Sequence, residues 1–430
     1  MVSTILKDTG CVMENAENML HALEHEDMAA AKKYFDLAIQ NGSDEEQFFL
    51  AEQLFSLGFL DEAEDLYELL LVNYKDEGAL LVRAAEVALE KDDIDTAQDY
   101  LESVNKQDEA YVESLLVLAD LYQMQGLFEV TEQKLLEAKK LVPDEAIIDF
   151  ALGEYYLSQG RFLLAVQYYQ TVLDTGVTEL AQGTISIYER IAEAYSASGA
   201  FEEALPFYEK ALQEHESVDT LFGLGLTAFQ AKEYVQAIHA FTHLKEHDPA
   251  YTTLYPYLSK SYQENGEPEK ALEALKEGLK YDEFNKELFF EGGKVADRLG
   301  KLDEAEEFYR QAIVLDEEYV MAILELNKLL LAKEDFEGLL EVVEALPEEL
   351  VTDPQIFWDL SVAYSGTEQY NKAKENFEKA YPHFENNPTF LREYGLFLRE
   401  EGDIQNANAV FTRYLEFIPE DSEIRNLLDF

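Results

Sequence analysis

Three histidines, His239, His243 and His247, recur at every fourth residue in the stretch HAFTHLKEH. On a helix this spacing places three imidazoles along one face, where adjacent pairs could ligate zinc or nickel. The sequence indicates no fourth ligand and nothing else in it points to metal dependence. Surface histidines on a polar helix face are therefore the simpler reading, and no metal or other cofactor is assigned. His21 and His25 form a second pair with the same spacing. Cys11 is the only cysteine, which excludes an internal disulfide and a cysteine-based zinc site. No adjacent Lys, Arg or His depresses its pKa, so it reads as an incidental thiol. The phosphate-binding pattern G-x-x-x-x-G-K-[ST], the zinc pattern H-E-x-x-H and the nucleophile pattern G-x-S-x-G are all absent. Acidic pairs such as Asp92/Asp93 are common in a chain with 89 carboxylates and read as solvated helix faces. No catalytic residue is assigned, and the chain is not expected to be an enzyme.

The charge narrows the partners. Against those 89 acidic residues stand 33 basic ones, for a formal net charge of −56 over 430 residues. Nucleic-acid binding needs a basic footprint that releases counterions from phosphates, and binding to anionic membranes needs the same sign. Neither nucleic acid nor membrane is expected as a partner. With 47% hydrophobic and 12% aromatic residues the chain has material for a large core, which argues against disorder. The start MVSTILKDTG lacks the basic and apolar segments of a signal peptide, and no run of about 18 apolar residues occurs. The cytoplasm is the expected compartment.

The elements that carry these residues follow from a period. Gly and Pro are few, 21 and 10, so turns are scarce and the composition reads as nearly all helix. SLGFLDEAEDLY at 56–67 returns as SQGRFLLAVQYY at 158–169, RLGKLDEAEEFY at 298–309 and EEGDIQNANAVF at 400–411. Indexed on the shared small residue, the register runs Ala31, Ala63, Ala97, Thr131, Ala165, Ala204, Ala237, Ala271, Ala305, Leu339, Ala373 and Ala407. Nearly every spacing is 34 residues; the exceptions are 32, 39 and 33.

This pattern resembles the tetratricopeptide repeat (TPR), in which two helices recur every 34 residues. With the indexed residue set at position 20, position 8 holds Gly153, Ala192, Gly225, Gly293 and Gly395. Position 11 holds Tyr122, Tyr156, Tyr195, Tyr262 and Tyr364. Position 24 holds Phe35, Tyr67, Tyr169, Tyr208, Phe241, Tyr309, Phe377 and Phe411, and position 32 holds Pro143, Pro249 and Pro419. Small residues at 8 and 20 let paired helices approach closely, and aromatics at 11 and 24 are expected to fill the gap to the next repeat. Gly near position 15 ends the first helix. The resemblance implies an all-α fold, an α-solenoid winding as a right-handed superhelix of about twelve helix-turn-helix repeats over residues 12–421. In length, acidity and repeat number the chain is also similar to the YpiA-type TPR proteins of low-GC Gram-positive bacteria.

Departures from the register carry expectations of their own. Repeat one lacks the turn Gly and has Met19 at position 8, as a terminal cap does. Repeat ten has Asn327 at position 8 and Leu339 at position 20, which predicts looser packing or an altered helix angle. Five extra residues within 175–184 predict a longer turn that divides the array into residues 1–180 (repeats one to five) and 181–430 (repeats six to twelve). Residues 421–430 are expected to form a short capping helix.

In the TPR family, first helices line a concave groove and positions 2, 5, 9, 12 and 13 point into it. Position 9 here carries Glu52, Glu86, Asp120, Glu154 and Glu193 in repeats two to six, then Lys260, Lys294 and Lys328 in repeats eight to ten. Arg392 at position 5 and Arg399 at position 12 add positive charge near the C-terminal end. Position 5 supplies apolar anchors, among them Phe48, Phe150, Phe222, Phe290 and Trp358. Apolar anchors beside a charged column suit an extended or amphipathic partner segment. The resemblance thus implies a non-enzymatic scaffold or adaptor. A basic or amphipathic segment would be bound toward the N-terminal half, and an acidic one by the lysine column. The alternatives are a regulatory receptor for a short peptide or small ligand, and self-association through terminal repeats. The carboxylate clamp of chaperone-binding TPR proteins is not expected, because Phe48 and Glu52 stand where it needs Lys and Asn.

Overall fold

The computed structural model of the chain describes residues 13–180, 185–347 and 351–428. Cys11 and residues 181–184 of the insertion lie outside the described residues. Twenty-four helices pair off as twelve hairpins, from Glu14–Glu24 with Met28–Asn41 to Pro388–Glu400 with Ile404–Phe417. A further helix, Ser422–Leu428, follows the last hairpin with Ile424 fully buried, as the capping expectation required. The only strands among the described residues, Glu179–Leu180 and Ile185–Ser186, pair antiparallel with Glu179 opposite Ser186. The described part of the insertion thus ends in one strand of this pair, Glu179–Leu180. No helix among the described residues is long and apolar enough to cross a membrane.

The chain forms two compact units, Met1–Ala211 and Leu212–Phe430. The insertion lies inside the first, and the units meet within the helix Phe201–Glu214.

Inside each hairpin, position 20 is buried, including the two departures Thr131 and Leu339. Thr131 satisfies its hydroxyl within the hairpin by donating to the Leu127 carbonyl at 3.3 Å. The position-24 ring lies over position 8 of its own repeat. A Cβ on Gly153 would sit 2.4 Å from the Tyr169 ring, and one on Gly395 2.4 Å from Phe411. Position 24 thus closes its own hairpin and, at Phe241 and Phe377, also reaches the next repeat, stacking on Tyr257 at 6.2 Å and on Tyr394 at 5.0 Å. Position 11 reaches a neighbour too. Tyr122, Tyr156 and Tyr364 donate to Glu102, Glu132 and Glu344 on the second helix of the preceding repeat, at 2.7–3.0 Å.

The turn between paired helices obeys one rule throughout. Position 15 is left-handed in all twelve repeats, with Gly in seven of them and Glu26, Asp92, Lys232, Glu334 and Glu368 in the other five. Repeat ten departs in another respect: its second helix, Phe336–Glu344, has only nine residues, while Asn327 and Leu339 are both fully buried.

Candidate partner-binding face

In the first unit four of the five position-9 carboxylates are not free. Arg83, at position 6 of repeat three, reaches across three successive first helices. Its Nη1 lies 2.6 Å from Glu86, its Nε 3.5 Å from Glu52 and its Nη2 3.3 Å from Glu113. Arg190, at position 6 of repeat six, repeats the arrangement, 3.3 Å from Glu154 and 2.8 Å from Glu193. Both sets are anchored from below. The buried Tyr67 donates to Glu52, and the buried Tyr169 donates to Glu154 at 2.6 Å. Burial first, and then the neighbouring carboxylate, push both phenols well above their ordinary pKa.

The anchoring is part of the hairpin packing. Phe48 and Phe150 at position 5 lean on those same tyrosines, with ring centroids 6.2 and 6.0 Å apart. Phe48 is consequently buried and offers little to a partner, while Phe150 is half-buried.

The arginines do not neutralise the column. One guanidinium meets three carboxylates at Arg83 and two at Arg190. Asp120, between the two sets, is exposed and has no partner among the described residues, yet the protein packed around its carboxyl raises its pKa. Burial also raises Glu193, against the opposing pull of Arg190. The five acids therefore stay net negative, with two of them, Glu52 and Glu154, oriented from outside their own helix.

The second unit inverts the pattern. In repeats nine and ten position 6 is acidic and position 9 basic, so Glu291 pairs with Lys294 at 3.0 Å and Glu325 with Lys328 at 3.3 Å. Lys260 is exposed, has no carboxylate partner among the described residues and sits 5.8 Å from the Tyr257 ring. Phe290 is buried against Tyr309 and Tyr319. With Lys294 at position 9 instead of a carboxylate, the buried Tyr309 hydroxyl has no partner. Phe222 is half-buried against Phe241, Tyr251 and Tyr257.

The C-terminal arginines serve the cap. Arg392 contacts Glu423 at 2.6 Å and Asp421 at 3.7 Å, and Arg399 donates to the Leu427 carbonyl at 2.5 Å. Trp358 is half-buried between Phe384 and Phe390 and donates to Glu393 at 2.7 Å; its neighbour Phe357 is half-buried too. Most of the positive charge in the predicted column is thus answered within the chain, and Lys260 is the member left open.

Sequence reasoning missed Arg83 and Arg190. Their signal was available, since both occupy position 6, three residues before an acid of the column, where Arg and Glu face each other on one helix. It also missed Glu216. That residue sits in the turn before the helix Val218–Gln230, with its carboxylate 2.9 Å from Nε2 of His243 and 3.1 Å from Nε2 of His247.

Comparison with known proteins places these features in a family. Residues 354–421 match the model for YpiA-like, C-terminal tetratricopeptide repeats, and residues 123–177 match that for YpiA-like tetratricopeptide repeats. Residues 258–319 and 184–218 match general tetratricopeptide-repeat models. The TPR repeat-containing protein YpiA of Bacillus subtilis (strain 168) is 40% identical over 385 residues, spanning 90% of both chains. Among solved structures, a tetratricopeptide repeat protein from Parabacteroides merdae is 18% identical, covering 59% of this chain and 98% of its own, with a TM-score of 0.40. MamA from Desulfovibrio magneticus RS-1 is 24% identical over 40% of this chain and 97% of its own, with a TM-score of 0.36.

Proposed function

The chain belongs to the YpiA-like tetratricopeptide-repeat family, and from that premise we propose that it is a protein-interaction scaffold whose first unit binds a basic or amphipathic segment of a partner. The observation that carries this reading is the excess of carboxylate along position 9. Arg83 and Arg190 hold Glu52, Glu86, Glu154 and Glu193 in place without cancelling them, and Asp120 is left open between. Fixed carboxylates steer a cationic segment at little cost in side-chain ordering. The half-buried Phe150 offers an apolar contact beside them.

The lysine column of the second unit supports an acidic partner less well, because Lys294 and Lys328 already pair with Glu291 and Glu325. The expected scaffold therefore has one charged receiving face, acidic, in the first unit.

The test is titration of the full chain with a lysine-rich amphipathic peptide, followed by fluorescence anisotropy at low and high salt. Reversing Glu52, Glu86 and Glu154 to Lys should weaken binding about tenfold or more and flatten its salt dependence. Equal affinity of the reversed and native chains would remove the reading.

A further inference from the structure

We infer that Glu216, His243 and His247 form a binding site for a divalent transition-metal ion, zinc being the best fit. One ligand atom from each residue falls within 4.8 Å of the other two, and they are the only such set of His, Cys, Asp and Glu among the described residues. Two sequence-distant pieces build it. His243 and His247 stand one turn apart on the helix Tyr234–His247, with rings 5.0 Å apart. Glu216 comes from the turn immediately before the N-cap Ser217 of the preceding helix.

The geometry needs little adjustment. The Glu216 carboxylate already holds both imidazoles by Nε2, at 2.9 and 3.1 Å. Metal–ligand bonds of about 2.0–2.2 Å arranged tetrahedrally set ligand atoms roughly 3.4 Å apart. The carboxylate therefore retreats by a few tenths of an ångström, and the two ring nitrogens already lie within 4.8 Å of each other. All three side chains are 40–45% exposed, so rotation about their own bonds supplies the movement. On binding, the Nε2 lone pair of each ring faces the ion, and each neutral ring carries its one proton on Nδ1.

The donor set selects the ion. Two imidazole nitrogens and one carboxylate suit zinc and its neighbours, whereas magnesium and calcium require more oxygen ligands than this turn offers. Three protein ligands leave the fourth position to water. A bound ion would staple the entry turn of repeat seven to that repeat's second helix, so binding should stabilise the repeat by mass action. His239, one turn further up, has its ring 6.3 Å from His243 and is not part of the set. His21 and His25 provide an internal control: they share the spacing and stack at 4.3 Å, but no carboxylate joins them in such a set.

The experiment is competition for zinc between the full chain and a chromophoric chelator, with millimolar magnesium present, alongside thermal unfolding with and without zinc. The native chain should bind one zinc ion and unfold at a higher temperature when loaded. His243→Ala, His247→Ala and Glu216→Gln should each weaken binding about 10–100-fold, the double histidine variant should lose the thermal shift, and His25→Ala should change neither. Far-ultraviolet dichroism confirms that the variants remain helical. Unaltered zinc affinity in the double variant, or zinc binding that magnesium displaces, would overturn the site.

Discussion

The Tyr169 hydroxyl donates to Glu154 across 2.6 Å, and this one bond joins the buried packing of the repeat to its exposed charge. The Tyr169 ring closes its hairpin by lying over Gly153, while its hydroxyl fixes an acid on the exposed face. The placing of surface charge and the packing of the core thus depend on the same side chain, and Tyr67 with Glu52 repeats the arrangement three repeats earlier.

Removing the hydroxyl should have opposite consequences at equivalent positions. Tyr169→Phe deletes a bond to a charged acceptor and should cost about 1–2 kcal/mol. Tyr309 occupies the same position in repeat nine, but its buried hydroxyl has no partner. Tyr309→Phe should be neutral or stabilising, because it relieves an unpaired buried donor. Urea midpoints of the two variants check the contrast; equal losses would mean that the ring environment, and not the bond, sets the cost.

The hairpin contact predicts a second difference. Gly153→Ala places a methyl group 2.4 Å from the Tyr169 ring, which is rigidly buried and cannot yield as a flexible chain end would. Overpacking of this kind costs about 1–3 kcal/mol, more than the gain of about 1 kcal/mol from replacing a mid-helix glycine. The variant should unfold at lower urea concentration and show weakened near-ultraviolet aromatic dichroism.

Much of the fold was legible because a repeat is forced to place the same residue in the same contact twelve times. Position 20 shows it: Ala at ten sites, with Thr131 and Leu339 equally buried at the other two. The candidate face was legible in part. The period aligned Glu52, Glu86, Asp120, Glu154 and Glu193, since residues one period apart fall on equivalent surfaces. It could not reveal that Arg83 ties Glu52 to Glu113, because those contacts join different repeats and depend on how neighbouring first helices lie side by side. Arg392 and Arg399 were misread for a related reason. Their register matched the groove, but the capping helix that follows captures both. Glu216 carried no periodic signal, being a single residue in a turn.

Relief of backbone strain should stabilise the chain. Glu368 holds φ at 59° in the turn of repeat eleven, where seven other repeats use Gly. A non-glycine residue in this region costs roughly 1–2 kcal/mol that glycine avoids. Glu368→Gly should raise stability by about 0.5–1 kcal/mol after the added freedom of the unfolded chain is deducted. Lys232→Gly, at φ 63° in repeat seven, should behave alike, and thermal unfolding of the two single variants and their combination measures whether the gains add.

Arg83 should matter in proportion to ionic strength. Replacing it with Met keeps most of the apolar stem and leaves Glu52, Glu86 and Glu113 without their shared cation. The half-exposed setting limits the loss to about 1 kcal/mol at low salt. Because the residual effect is repulsion among partly solvated carboxylates, it should shrink as salt shortens the screening length to a few ångströms. Melting curves at 20 mM and 1 M sodium chloride, as approximate settings of that length, should converge for variant and native chain. A salt-independent loss would assign Arg83 a packing role instead.

Asp359 gives the second unit a pH dependence of opposite sign to the usual carboxylate. Burial pushes its pKa up to about 6, with Asp353 and Glu393 adding to the rise and bonds from Gln355 and Asn327 opposing it. The folded form therefore holds a proton that the unfolded chain, with an ordinary carboxylate, has released. Stability contributed at this site is full below the ordinary carboxylate range, falls as pH rises toward about 6, and stays level above it. Asn327 fits this reading, since its buried amide oxygen has no donor while its nitrogen lies 3.3 Å from Asp359 Oδ2. A protonated Asp359 facing the flipped amide would donate to that oxygen. Asp359→Asn should then stabilise the chain at neutral pH, by an amount on the order of 3 kcal/mol at most for a shift of roughly two pK units. It should also flatten the fall in stability between about pH 4 and 6. Urea unfolding across that range decides the matter: a variant less stable than the native chain at pH 7.5 would mean that the buried carboxylate is held by its neighbours in the charged form.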